Sequence, residues 1–161
     1  MEGLRNGGVA VTGWDRGEIS VRTRIRAKGR SMDEAKALAA QIRTVISGST
    51  ITGNSAVGSG SSQVGNGGAI GNQNGGRITI ANSVITGNSA SGSGGGIYYQ
   101  PNGGTPLLTI INTTVSNNTA NSNNDTTGSG GGLYMTDAGD VSISISGSTF
   151  SGNQVLGGQT G

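Results

Sequence analysis

The chain has 161 residues, of which 33 are Gly and only 31 are Leu, Ile, Val or Phe, so it cannot fill the broad apolar core of a globular enzyme. Disordered chains of similarly low hydrophobicity usually carry a high net charge, whereas the formal net charge of this chain is only +2. The composition therefore predicts a repeat protein with a narrow core. The absence of Cys and His excludes disulfides, imidazole or thiolate catalysis and the metal sites that use these ligands. No cofactor or metal site is predicted.

The charges divide the chain into two regions, residues 1–43 and 44–161. The first holds nine of the ten basic residues and five of the eight acidic ones. It is predicted to form a short strand at 9–11, an alternating strand from Glu18 to Ala27, and a helix that Ser31 caps and that ends near Arg43. No apolar stretch follows Met1, so no signal peptide is expected, and no apolar run is long enough for a membrane span.

The second region contains four copies of a five-residue segment that has an apolar centre and ends in Asn. The copies lie at 50–54, 84–88, 114–118 and 149–153. Five positions before each apolar centre stands an Ile, and a Gly-Gly motif recurs between the copies, at 67–70, 94–97 and 130–133. Each repeat is predicted to form three short strands, which cannot bury their few apolar residues alone. The repeats must therefore stack into an all-β parallel solenoid of about four rungs, with residues 1–43 as an N-terminal strand and helix cap.

Stacking places the apolar residues of successive repeats above one another. The two predicted columns are Ile46, Ile80, Ile110 and Ile145, and Ile51, Ile85, Val115 and Phe150. The final Asn of each copy is expected to join a ladder of side-chain amides and to supply a left-handed corner. The last rung is expected to leave Ile145 and Phe150 uncovered beside unpaired strand edges. We therefore predict self-association through the solenoid ends, either head to tail or as a closed dimer.

Residues 45–161 resemble the repeats of the polymorphic outer-membrane proteins. The motifs that carry the resemblance are Gly67-Gly68-Ala69-Ile70, Phe150-x-x-Asn153 and Ile-Thr-Gly-Asn at 51–54 and 85–88. That family consists of surface adhesins and autotransporter passengers, so the resemblance implies a right-handed β-helix at the cell surface or outside the cell. It points to no single ligand. The membrane-anchoring barrel of the family has no counterpart in this sequence.

Residues 6–47 resemble the start of a bacterial adhesin-like family of unknown function. The features that carry this resemblance are a Gly-Trp-Asp-Arg turn at 13–16, the alternating basic strand and the Ala-rich helix. The resemblance implies the beginning of a solenoid and no known catalytic residues.

Two groups of side chains are candidate binding sites. The first is an outward array of hydroxyls beside the apolar centres, a geometry that some ice-binding proteins use: Thr50, Thr52, Thr86, Thr114, Ser116, Thr149 and Ser151. The second is a basic strand face that could hold an anion: Arg22, Arg24, Arg26 and Lys28. Ordinary solvent-facing strand residues account for both patterns as well. No aromatic residues alternate with the bases, so no nucleic-acid partner is predicted.

A third possibility is a carboxylate pair for glycan chemistry. Asp125, Asp137 and Asp140 are the acids of the second region, but the last two read as a turn and Arg77 is its one base. The sequence therefore favours a non-catalytic adhesin or structural module with carbohydrate or a host surface as partner. The alternatives are a solenoid that binds ice or a carbohydrate surface and, third, a polysaccharide-active enzyme.

Overall fold

The computed structural model describes residues 31, 43–58, 65–73, 76–101, 107–122, 128–136 and 142–157. The predicted cap at 1–43 lies outside the described residues except for Ser31 and Arg43. Its strands, its helix and the division of the chain at residue 43 remain predictions. In the described ranges no helix is long and apolar enough to cross a membrane.

The described residues form fifteen strands in four parallel sheets, and the chain contributes one strand to each sheet before it returns to the first. One such circuit is called a rung here. The strands are β1 Arg43–Ser47, β2 Thr50–Thr52, β3 Ser55–Ala56, β4 Ile70–Asn72, β5 Arg77–Ala81, β6 Val84–Thr86, β7 Ser89–Ala90, β8 Ile97–Tyr99, β9 Leu107–Ile111, β10 Thr114–Ser116, β11 Thr119–Ala120, β12 Leu133–Met135, β13 Ser142–Ser146, β14 Thr149–Ser151 and β15 Gln154–Val155. The predicted parallel β-solenoid of about four rungs is confirmed.

Within each sheet the strands of successive rungs lie side by side in chain order. The first sheet contains β1, β5, β9 and β13, the second β2, β6, β10 and β14, the third β3, β7, β11 and β15, and the fourth β4, β8 and β12. Rungs one to three thus have four strands each, where the sequence predicts three. The strands of the third sheet have only two residues, which is too short for an alternating pattern to be read from the sequence.

The strands pair in the register that the Ile and Asn spacing predicts. In the first sheet, Ile80 lies beside Ile46 on one side and Ile110 on the other, and Ile110 lies beside Ile145. The second sheet aligns its apolar centres in the same way. Ile80 and Ile110 are completely buried. Both predicted columns are therefore confirmed, and they supply four of the eight buried residues of the apolar core.

Two corners of each rung share one design, in which a left-handed residue precedes a polar residue that points inward. The left-handed residues are Gly48, Asn82, Asn112 and Gly147 at the first corner, and Gly53, Gly87, Asn117 and Gly152 at the second. The prediction that the Asn ladder itself supplies the left-handed conformation is therefore wrong by one position. The residue before each ladder Asn adopts it, and this residue is Gly or Asn because other side chains clash there.

The Gly-Gly motif allows the chain to pass close to the next rung. A Cβ on Gly95 would lie 2.4 Å from the backbone carbonyl carbon of Thr119, and one on Gly131 would lie 2.3 Å from the backbone oxygen of Gln154. In both cases the neighbour is backbone of the following rung and cannot turn aside. These glycines are thus required by packing between rungs, which explains why the motif recurs in each of the first three.

Candidate binding face

The seven hydroxyl residues singled out from the sequence lie together on the outer side of the second sheet. Each strand of this sheet has three residues, and its apolar centre points inward, so the residues on either side point outward. One row contains Thr50, Val84, Thr114 and Thr149, and the other contains Thr52, Thr86, Ser116 and Ser151. We call these eight residues the hydroxyl face. Val84 is the one apolar member.

The hydroxyl face is a regular two-dimensional array. Neighbours within a row are about 4.8 Å apart, and the two rows are separated by two residues of extended strand, about 6.6 Å. The hydroxyl of Ser116 donates a hydrogen bond to Oγ1 of Thr86 at 3.0 Å, which shows that neighbours in a row can order one another. Each hydroxyl can both donate and accept. Such a face suits a partner whose own hydroxyls or water molecules repeat with a similar spacing.

A ladder of asparagine amides holds the edge of this face. Oδ1 of Asn118 accepts from the backbone N–H of Asn88 at 3.0 Å and from its Nδ2 at 2.9 Å. Asn54 and Asn153 continue the same pattern at the first and fourth rungs. Asn88 and Asn118 are buried with their amides hydrogen-bonded. The predicted Asn ladder is confirmed, and because it is buried and satisfied it stiffens the corner beside the hydroxyl face.

A second ladder, made of hydroxyls, lies at the corner between the first and second sheets. It consists of Ser49, Ser83, Thr113 and Ser148. The Ser83 hydroxyl donates to the carbonyl of Ala81 at 2.7 Å and accepts from the backbone N–H of Ser49 at 3.2 Å. Sequence reasoning missed this ladder, although aligning the four repeats shows Ser or Thr at the position in every copy. The residue type alone does not distinguish a buried ladder hydroxyl from an exposed one.

The fourth sheet carries an aromatic column. The rings of Tyr98 and Tyr134 stack on its outer side with centroids 5.7 Å apart. Tyr98 is only 7% exposed, and its hydroxyl donates to Oε1 of Gln100 at 3.2 Å. Tyr99 points into the core and donates to the carbonyl of Gly76 at 2.5 Å. Burial is the main cause that raises the pKa of both Tyr98 and Tyr99, and the nearby Tyr134 raises the pKa of Tyr98 further.

Most of the charged candidate residues lie outside the hydroxyl face and outside the described part of the chain. The basic patch of Arg22, Arg24, Arg26 and Lys28 and the acids Asp125, Asp137 and Asp140 lie outside the described residues. Arg77 has a second basic residue beside it, because Arg43 occupies the paired position of the adjacent strand on the outer side of the first sheet. Within the described ranges no group of three or more acidic, His or Cys side chains could hold a metal ion. The anion patch and the catalytic alternative both stay hypotheses.

Comparison with known proteins finds a similarity in the second rung. Residues 82–100 match the Chlamydia polymorphic membrane protein repeat. This stretch contains one copy of each recurring motif, Ile85–Asn88 and Gly94–Ile97, and forms β6, β7 and β8. The predicted resemblance to these repeats is therefore confirmed for this part of the chain, whereas the resemblance of residues 6–47 to an adhesin-like family has no support. No curated protein and no solved structure matches the chain significantly.

Proposed function

We propose that this chain is a non-catalytic module of an adhesive or structural protein at the cell surface or outside the cell. The match of residues 82–100 to a repeat of polymorphic membrane proteins is the observation that carries the proposal. This repeat lies within a solenoid that places equivalent side chains of successive rungs side by side. A face of repeated side chains makes many equal contacts at once, so weak individual contacts add up to strong attachment.

The proposed attachment surface is the hydroxyl face, and adhesion of the purified chain to a glycan-coated surface tests it. Thr86→Lys places a long charged side chain in the middle of the face, and we expect retention on the surface to fall. Thr79→Lys is the matched control, because Thr79 is an outward, half-buried residue of the same rung but belongs to the first sheet. Equal loss of retention in both variants would contradict the assignment of the face.

The same assay tests the absence of catalysis. Soluble sugars released from the glycan over time are measured beside retention. Retention without release supports an adhesin, whereas steady release of product by the unmodified chain would establish a polysaccharide-active enzyme and overturn the proposal.

Ice binding is a second candidate function of the same face. The observation that favours it is the regular array of two in-register hydroxyl rows, which Val84 alone interrupts. Val84→Thr completes the first row, so we expect it to strengthen ice shaping or thermal hysteresis. Thr86→Lys should abolish the effect, and Thr79→Lys should not. No ice shaping by the unmodified chain and none by Val84→Thr would reject this candidate.

Self-association through the ends of the solenoid is also part of the proposal. In the fourth rung Ile145 is 45% exposed and Phe150 is 40% exposed, although both occupy the core columns. Burying such side chains together with unpaired strand edges favours contact with another chain. Light scattering across a concentration series is expected to show a mass that rises with concentration. A constant mass of one chain, 15.8 kDa, would refute self-association.

A further inference from the structure

Both polar ladders run in one direction along the solenoid. In the Asn ladder, the backbone N–H and Nδ2 of each Asn donate to Oδ1 of the Asn on the following rung, as from Asn118 to Asn153 at 3.1 and 3.0 Å. In the hydroxyl ladder the backbone N–H also donates forward, from Ser83 to Thr113 at 3.4 Å and from Thr113 to Ser148 at 3.1 Å. For these ladder bonds the fourth rung is therefore the donor end and the first rung the acceptor end, whereas other backbone groups of the same corners, such as the N–H of Gln154, donate to the preceding rung.

The donor end repeats the donors that are satisfied inside the stack. The next donors in the two ladders are the backbone N–H groups of Ser148 and Asn153, and no described residue accepts a ladder hydrogen bond from them. At the other end, Oγ of Ser49 and Oδ1 of Asn54 are the acceptor atoms to which no described residue donates a ladder hydrogen bond. The fourth rung thus lacks the ladder acceptors that the first rung carries, and the first rung lacks the ladder donors that the fourth rung carries.

The apolar columns match in the same way. Ile145 and Phe150 at the donor end continue the columns of Ile46 and Ile51 at the acceptor end. Where these columns are covered by a further rung, as at Ile110, the side chain is completely buried. A first rung placed on the fourth rung would repeat the contacts that already join rung to rung. The strands would also be parallel, as in all four sheets.

We infer that the donor end of one chain binds the acceptor end of a second copy, so that copies stack head to tail in the register of the rungs. This inference rests on the proposed self-association and adds its direction. It competes with the predicted cap of residues 1–43, because both would cover the first rung. Two donor ends facing each other would set the strands antiparallel and would leave the N–H groups of Ser148 and Asn153 without the Oγ and Oδ1 acceptors that such groups use inside the stack. A closed end-to-end dimer is therefore disfavoured, and a head-to-tail contact continues from copy to copy into filaments.

Disulfide trapping tests the direction, since the sequence contains no Cys. Ser47→Cys lies on the outer side of the first rung, and Ser146→Cys occupies the equivalent position of the fourth rung. Stacked head to tail, their Cα atoms lie about 4.8 Å apart, within the range of a disulfide. Ser142→Cys is the control, because four residues of strand displace it by about 13 Å from Ser47.

A mixture of the Ser47→Cys and Ser146→Cys chains, oxidised under non-denaturing conditions, is expected to yield a disulfide-linked heterodimer. The mixture of Ser47→Cys with Ser142→Cys is expected to yield none. If the unmodified chain associates by light scattering but the first mixture gives no more heterodimer than the second, the direction is wrong while self-association stands. If the unmodified chain stays monomeric, both fail.

End-blocking variants provide an independent readout in solution. Thr44→Asp blocks the acceptor end and Ile145→Asp blocks the donor end, while Ser144→Asp is an outer-face control on the fourth rung. Head-to-tail binding predicts that each blocked chain is monomeric alone. An equimolar mixture should stop at a dimer, because it offers one open donor end and one open acceptor end per pair of chains and the dimer uses both. Growth of Thr44→Asp alone into dimers would instead indicate a contact between two donor ends and would overturn the inference.

Discussion

Replacing Ile110 with Ala measures how strongly one core column stabilises the solenoid. Ile110 is completely buried between Ile80 of the second rung and Ile145 of the fourth. The substitution removes three carbon groups, each worth about 0.8 kcal/mol when buried. It also leaves a cavity that rungs above and below prevent from closing. We therefore expect the free energy of unfolding to fall by about 2–4 kcal/mol.

The same substitution at Ile145 is the matched control. Ile145 belongs to the same column but is 45% exposed at the end of the stack, so only about half of the burial is lost. Water fills the space that its side chain leaves, and no closed cavity forms. We expect Ile145→Ala to cost about 1 kcal/mol at protein concentrations where the chain is monomeric.

Urea denaturation followed by circular dichroism measures both variants. Because a repeat protein can unfold in parts, the midpoint and the slope of the transition are compared together. A midpoint for Ile110→Ala that equals that of the unmodified chain would refute the column assignment. Equal losses in the two variants would show that exposure at the fourth rung does not reflect an open end.

Three further predictions concern polar and backbone features. Asn118→Ala removes the buried amide that accepts from Asn88, so the unfolding free energy should fall by at least about 2 kcal/mol in urea denaturation. Gly96→Ala brings a Cβ to 2.6 Å from a backbone oxygen, whereas Gly53→Ala has open space and costs about 1 kcal/mol for its left-handed backbone. Gly96→Ala should therefore lower the melting temperature far more, and equal shifts in the two variants would contradict this packing argument. Because folding raises the pKa of Tyr99 above 10.0, its contribution to stability should be complete below pH 10 and be lost as the pH rises through the folded-state value, and Tyr99→Phe should reduce this alkaline loss; unfolding measured at pH 8 to 12 checks it.

Much of the fold follows from the spacing of a few residues. The apolar centres and the Asn residues recur with the same separation in each repeat, and parallel strands in register place such residues side by side. A shift of one residue would turn Ile80 and Ile110 to the outer face, and a shift of two residues would bring the Asn residues of successive rungs out of line. The columns, the Asn ladder and the grouping of the hydroxyl face are therefore predictable from the sequence.

Other features depend on neighbours that lie about 30 residues away in the chain. The Ser83 hydroxyl accepts from the backbone N–H of Ser49 in the rung before it, and the residue type alone does not reveal that partner. The strand at Ser89–Ala90 is defined only by its pairing with neighbouring rungs, because two residues carry no periodic pattern.

The direction of the ladders was likewise decided by tertiary structure. The sequence shows an Asn in every repeat, but an amide can donate in either direction along a stack. The backbone N–H of Asn88 points to the following rung, and Oδ1 of Asn118 turns toward it. Corner geometry thus fixes which end of each ladder donates and which accepts. The sequence by itself determined that the repeats stack, whereas the folded corners decided that the stack has a direction, because only they orient the backbone N–H groups.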